Sequence, residues 1–184
     1  RLIDALLDAG IRRTEITSFV SPKWVPQLAD ADNLCRILKR PEGVTFSALC
    51  ANRMGLDRAL DTPINEVAVF LSVGAAPFRK NVNKTVAQTL EVFREMVPSA
   101  LAAGRRVRGY LSTLWGCPYE GAVDPERGVE IARALLDMGC YEVSLGDTIG
   151  IGTPLQTKRI VEMFLREFPA QRLALHFHDT RGTA

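Results

Sequence analysis

The sequence predicts an α/β fold of parallel strands joined by crossover helices, a partial (β/α) barrel occupying residues 1–184 as one domain. Three observations point there. Short β-rich runs alternate with helical patterns from end to end. No shift of composition marks a linker. The 184 residues suffice for a sizeable core but fall short of the ~250 of a complete eight-stranded barrel.

The strand candidates, in order, are Arg13 to Thr17, Val44 to Leu49, Glu66 to Leu71, Val107 to Ser112, Glu142 to Leu145 and Leu173 to His178. Between them the period becomes helical. From Asp124 to Met138, the residues Val129, Ala132, Leu135 and Leu136 form one apolar stripe. Asp124 suits the N-cap, Pro125 the first helical position and Gly139 the left-handed stop. The next helix repeats this grammar, with Thr153 as cap, Pro154 first, Ile160 and Phe164 on one face and Pro169 beyond the end. From Thr85 to Ala103, Val86, Leu90, Phe93 and Val97 share a face, but Pro98 deletes a helix hydrogen bond and is expected to kink or shorten the element. Doubly wound sheets share this alternation. However, GDTIGIGTP supplies Gly150 and Gly152 without the third glycine of a dinucleotide-binding turn, and the barrel is favoured.

Composition excludes several classes. The 47% hydrophobic and 24% charged content is that of a globular enzyme, and no run approaches the ~18 apolar residues of a membrane span. Net charge is +2, from 23 basic and 21 acidic residues spread evenly, which gives no footprint for nucleic acid. Cys35, Cys50, Cys117 and Cys140 are far apart with no CxxC pair, as expected in a reducing compartment. The chain opens on Arg1 inside an amphipathic run and stops at Ala184 after its most motif-like segment. It is read as part of a longer protein, so the missing leader pattern says little about targeting.

In parallel α/β domains, polar residues at the C-terminal strand ends face the shared mouth. LALHFHD places His176 and His178, the only 2 histidines, two apart on a strand, so both rings point one way and Phe177 the other. They can serve as neighbouring metal ligands, with Asp179 and Thr180 placed to orient them, or as a hydrogen-bonded pair. TEITSFVSPKW carries Glu15 and Thr17 on one parity. A carboxylate in an apolar strand needs a partner or a task, so Glu15 is a candidate catalytic acid or one half of a structural ion pair. Ser18 and Ser21 follow as possible substrate contacts. EVSLGDTIGIGTP ends a strand with Ser144, Gly146 and Asp147 before a helix N-terminus suited to an anion. Asp147 and Thr148 can also simply shape the turn. Cys117, flanked by no cation or histidine, reads as an inert thiol packed beside Trp115 and Pro118. Arg79, Lys80 and Lys84 can meet phosphates or form a solvated helix start.

The segments TEITSFVSPKWVPQLAD, KNVNK, VRGYLSTLWGCPYEG, MGCYEVSLGDTIGIGTP and HFHDTRG together resemble the 3-hydroxy-3-methylglutaryl-CoA lyases, in that family's order and spacing. The resemblance runs nearly end to end. It implies a TIM barrel, (β/α)8, of which the visible strands are the second to the seventh, in a catalytic domain that cleaves an acyl-CoA thioester. It implies a divalent metal, Mg2+ or Mn2+, with His176 and His178 as ligands and His176 also at the catalytic centre. Glu15 matches an active-site glutamate, and Ser18, Ser144 and Asp147 match positions near the substrate. The family's remaining ligands, an aspartate and an asparagine, its catalytic arginine and its mobile-loop cysteine have no counterpart within these residues, and Cys117 is not that cysteine despite its GCPY context. One departure concerns the acyl substrate: where the family carries Ser-Glu, SVGAAPF places Gly74 and Ala75.

The implied reaction removes a proton from a tertiary hydroxyl, breaks a carbon–carbon bond and releases acetoacetate and acetyl-CoA. A homodimer is expected of the full-length protein, cytoplasmic in a bacterium or in the mitochondrial matrix of a eukaryote. Nucleic-acid and membrane partners are not expected. Rival readings are a lyase for another 3-hydroxyacyl-CoA, citramalyl-like or longer branched; a Claisen synthase, which fits SFVSPKWVPQ poorly; and a catalytically incomplete barrel acting through its surface.

Overall fold

A computed structural model describes residues 1–74 and 85–182. Its centre is a six-stranded sheet: β1 (Arg13–Phe19), β2 (Thr45–Cys50), β3 (Glu66–Ser72), β4 (Arg106–Ser112), β5 (Glu142–Asp147) and β6 (Leu173–Phe177). All neighbours are parallel, and each strand lies beside its chain neighbour in the order β1 to β6. A doubly wound sheet reverses its order midway; this one does not, and it is the wall of a partial barrel. The strands expected from the sequence are all present, shifted by a residue or two at their ends.

The helices are α1 (Leu2–Asp8), α2 (Ala31–Ile37), α3 (Arg53–Leu60), α4 (Val86–Ala102), α5 (Pro125–Asp137) and α6 (Pro154–Glu167). The caps follow the sequence grammar. Asp124 accepts from the Glu126 N–H at 3.0 Å, Thr153 accepts from the Gln156 N–H at 3.3 Å, and Gly139 takes φ +112° after α5. Thr85 and Gln88 close a reciprocal capping box ahead of α4. Pro98 does not shorten that helix. Phe93, Met96 and Val97 before or beside it and Ala100 after it are all buried, so tertiary packing on both sides holds the last turn.

One apolar layer fills the space between sheet and helices. Val67, Val69, Leu71, Val107, Leu111, Val143 and Leu145 face Leu56, Phe93, Val97, Leu135 and Phe164, all essentially inaccessible. Side chains of opposite parity point to the barrel interior. In β1 the parity breaks: the register slips between Glu15 and Thr17, so Glu15 pairs with Ser47 and Ser18 with Leu49. This irregularity corrects the sequence reading. Thr17 falls opposite Ala48 on the core side and is buried, whereas Ser18 joins Glu15 on the inner face. Among the described residues no helix is long and apolar enough to cross a membrane.

Candidate active site

Two polar layers lie on the inner face. Toward the N-terminal strand ends, charges pair with one another. Arg13 meets Glu66 at 3.0 Å, the Tyr141 hydroxyl donates to the same carboxylate at 3.0 Å, and Arg108 meets Glu142 at 2.6 Å. Arg13 also bonds the Tyr141 hydroxyl, and Arg106 lies 3.9 Å from the centre of the Tyr141 ring. Glu66 is 3% exposed, so its charge depends on these partners.

The second layer, at the C-terminal ends, lines a cavity of about 530 Å³. Glu15 from β1, Tyr110 and Ser112 from β4, Ser144 and Gly146 from β5, Thr148 beyond it, His176 from β6 and His178 just after that strand all border it, with Leu49 and Phe70 as an apolar side. Strand periodicity does what the sequence predicts for the histidines: the two rings share a face with centroids 4.8 Å apart. Phe177 turns the other way and meets Trp115 edge-on at 5.1 Å.

The Nδ1 of His178 lies 2.9 Å from the Asp147 carbonyl oxygen. A carbonyl only accepts, so in the neutral ring Nδ1 carries the proton and Nε2 keeps a lone pair for a metal. Among the described residues no group of three or more His, Cys, Asp or Glu side chains converges as a complete metal cage. The donor set here is two imidazoles, one already oriented by a backbone acceptor, which fits part of a divalent-metal site.

Glu15 accepts a hydrogen bond from the Tyr110 hydroxyl at 2.7 Å. Solvent reaches Glu15 from the open side of the wall, but the strands crowd it on the other. Desolvation lifts its carboxyl above the usual range, against the opposing pull of the Tyr110 hydrogen bond and the Arg108 charge. Burial and the adjacent carboxylate likewise raise the Tyr110 phenol. A carboxyl so placed can exchange a proton at a milder pH than an exposed glutamate.

The other candidates separate. Ser144 is 5% exposed and borders the cavity. Ser18 is half-buried on the inner face, through the β1 slip. Asp147 lies on the outer parity of β5, 2% exposed, and its carboxylate accepts from the N–H groups of Ile151 at 3.1 Å and Gly152 at 2.8 Å. It shapes the loop that carries the His178 acceptor, and borders a smaller space of about 180 Å³ beside His178. Cys117 is a buried free thiol, 2% exposed, bridged through its backbone to Gly121. Ala75, Arg79, Lys80 and Lys84 lie outside the described residues. Tyr110 and Arg108 were not singled out from sequence. The signal was the polar alternation Arg106, Arg108, Tyr110, Ser112 on a strand whose intervening residues are all buried.

Comparisons with known proteins agree with the fold. A family model described as HMGL-like matches residues 1–184. The chain is 47% identical over 184 residues to a Pseudomonas aeruginosa protein named 3-hydroxy-3-isohexenylglutaryl-CoA/hydroxy-methylglutaryl-CoA lyase, covering 100% of this chain and 61% of that protein. The crystal structure of Bacillus subtilis HMG-CoA lyase superposes with TM-score 0.96 at 45% identity, covering 99% of this chain and 61% of that one. An HMG-CoA lyase from Acinetobacter baumannii, solved with coenzyme A and 3-methylmalate, superposes with TM-score 0.88 at 32% identity, over 94% of this chain and 56% of that one. The chain thus spans about three fifths of the length of the relatives it matches.

Proposed function

Because the chain belongs to the HMGL-like family, we propose that it builds the active-site wall of a carbon–carbon lyase that cleaves 3-hydroxy-3-methylglutaryl-CoA to acetyl-CoA and acetoacetate. The observation that carries this is the convergence of His176, His178, Glu15 and Ser144 on one cavity at the C-terminal strand ends. His176 and His178 would hold a divalent cation, Mg2+ or Mn2+. When bound, such an ion lowers the pKa of a coordinated hydroxyl and polarises a neighbouring oxygen.

The chain's own residues supply the rest. His178, with Nδ1–H held by the Asp147 carbonyl, presents Nε2 toward the cavity. His176, on the same face as Glu15, stands at the reacting centre. Glu15, held by Tyr110, serves in proton exchange at the substrate hydroxyl. Once that proton leaves, the bond between C2 and C3 breaks, C3 becomes the ketone of acetoacetate, and its electron pair forms the enolate of acetyl-CoA. A general acid must then protonate C2. Ser144 and Ser18 offer hydroxyls for the acyl chain, and Leu49 and Phe70 provide an apolar wall that keeps water from the enolate.

Asp147 contributes by ordering the β5–α6 turn. The working enzyme is taken to be a homodimer, cytoplasmic in a bacterium or in the mitochondrial matrix of a eukaryote. The test is a panel of 3-hydroxyacyl-CoA thioesters assayed for acetyl-CoA release with the full-length protein. Fast cleavage of the methylglutaryl thioester is expected; absence of cleavage with that substrate, in folded protein supplied with Mg2+ or Mn2+, would overturn the reading.

A further inference from the structure

The geometry points to Thr113 as a positioning residue for His178, an inference that rests on the metal site proposed above. Thr113 follows β4 and is 2% exposed, with φ +61°. It is the one non-glycine residue at positive φ among the described residues. A β-branched side chain disfavours that backbone, so the conformation persists only where the surroundings enforce it.

Those surroundings form a chain of contacts leading to the histidine. On one side, Thr113 Oγ1 lies 2.7 Å from Ser72 Oγ and accepts from the Gly74 N–H at 3.2 Å, which ties residue 113 to the end of β3. On the other side, the Thr113 N–H donates to Thr148 Oγ1 at 2.7 Å and the Leu114 N–H donates to the Gly146 carbonyl at 3.2 Å. These two bonds grip the residues on either side of Asp147. The Asp147 carbonyl is the acceptor that fixes the His178 proton on Nδ1. Thr113 touches neither a reacting atom nor a ligand position; it sets the peptide that sets the ring.

The hydroxyl is the decisive group. Without it, Ser72 Oγ and the Gly74 N–H lose their shared partner, and residue 113 is free to relax toward negative φ. Its N–H then turns away from Thr148, and the Asp147 carbonyl loses its fixed aim. Serine retains the hydroxyl and sheds the β-branch; alanine sheds both. The pair therefore separates the hydrogen bonds from the strain.

The experiment uses the full-length protein with 15N-labelled histidine, as wild type, Thr113→Ser and Thr113→Ala. Ring nitrogen shifts report the tautomer of each histidine, and electron paramagnetic resonance measures Mn2+ binding. Wild type and Thr113→Ser are expected to hold His178 as the Nδ1–H tautomer. In Thr113→Ala, His178 is expected to populate the Nε2–H tautomer while His176 is unchanged, with Mn2+ affinity about tenfold weaker, as for other groups that orient ligands. Should the alanine variant not fold, Thr148→Val removes the acceptor of the Thr113 N–H and is expected to give the same two changes. A folded alanine or Thr148→Val variant with the wild-type His178 tautomer and Mn2+ affinity overturns the inference. If the alanine variant shows both changes but wild type releases no acetoacetate, the lyase reading fails and the role of Thr113 stands.

Discussion

The barrel interior carries two polar layers that differ both in composition and in how their groups are satisfied. In the lower layer, Arg13, Glu66, Tyr141, Arg108 and Glu142 bond one another, and each charge finds its opposite within the protein. In the upper layer, His176, Ser144 and Thr148 open onto the cavity, and Glu15 is held by a phenol rather than a cation. One layer is closed on itself, and the other leaves its groups free to meet a ligand. Closed ion pairs resist unfolding and do little else; convergent groups facing open space cost stability and can bind.

The largest effect on stability is expected in the lower layer. Arg13→Met leaves the buried Glu66 carboxylate with Tyr141 as its remaining donor, and should destabilise by about 3 kcal/mol, the low end for stranding a buried charge because Arg13 itself is half exposed. Adding Glu66→Leu should recover most of that loss in denaturant unfolding. If the single variant is as stable as wild type, the lower layer is not a closed unit.

Asp147→Asn sharpens the boundary between the layers. The amide keeps one acceptor where the carboxylate serves two N–H groups, so about 1.5–3 kcal/mol of stability should be lost. Binding of Mn2+ should weaken at the same time, because the loop carries the His178 acceptor. Loss of stability with unaltered metal affinity would show that the turn and the site are independent.

The smallest effect is expected at Glu15. Folding raises its carboxyl above the ordinary range, so the folded chain binds this proton more tightly than the unfolded chain does. The stability it confers is present at low pH and is lost as pH rises from the usual glutamate range through the raised value. Glu15→Gln should remove that decline and leave the protein slightly more stable at neutral pH, with activity reduced. A melting-temperature profile against pH that is superimposable for the two proteins contradicts this assignment.

Much of this was legible in the sequence, for identifiable reasons. Strand-helix alternation and the Asp124-Pro125 and Thr153-Pro154 starts are local signals, and the structure repeats them. The histidine pair followed from a period of two, which an unbroken strand preserves. The slip after Glu15 was not legible, because nothing in Glu-Ile-Thr-Ser marks the extra residue that sends Thr17 outward and Ser18 inward. Asp147 faces the loop rather than the mouth because the first donors it meets are its own following N–H groups, a choice made by tertiary geometry. The left-handed conformation at Thr113 was hidden for the opposite reason: threonine is among the residues least suited to it.

The open groups of the upper layer are proposed to hold a divalent cation. The most direct measurement is a Mn2+ binding isotherm for the full-length protein and its His176→Ala variant, with melting temperatures as a control for folding. One tight site is expected in wild type and, in the variant, an affinity weaker by at least the roughly hundredfold upper range for losing a ligand-orienting group, at similar melting temperature. Equal affinity in the two proteins would contradict it.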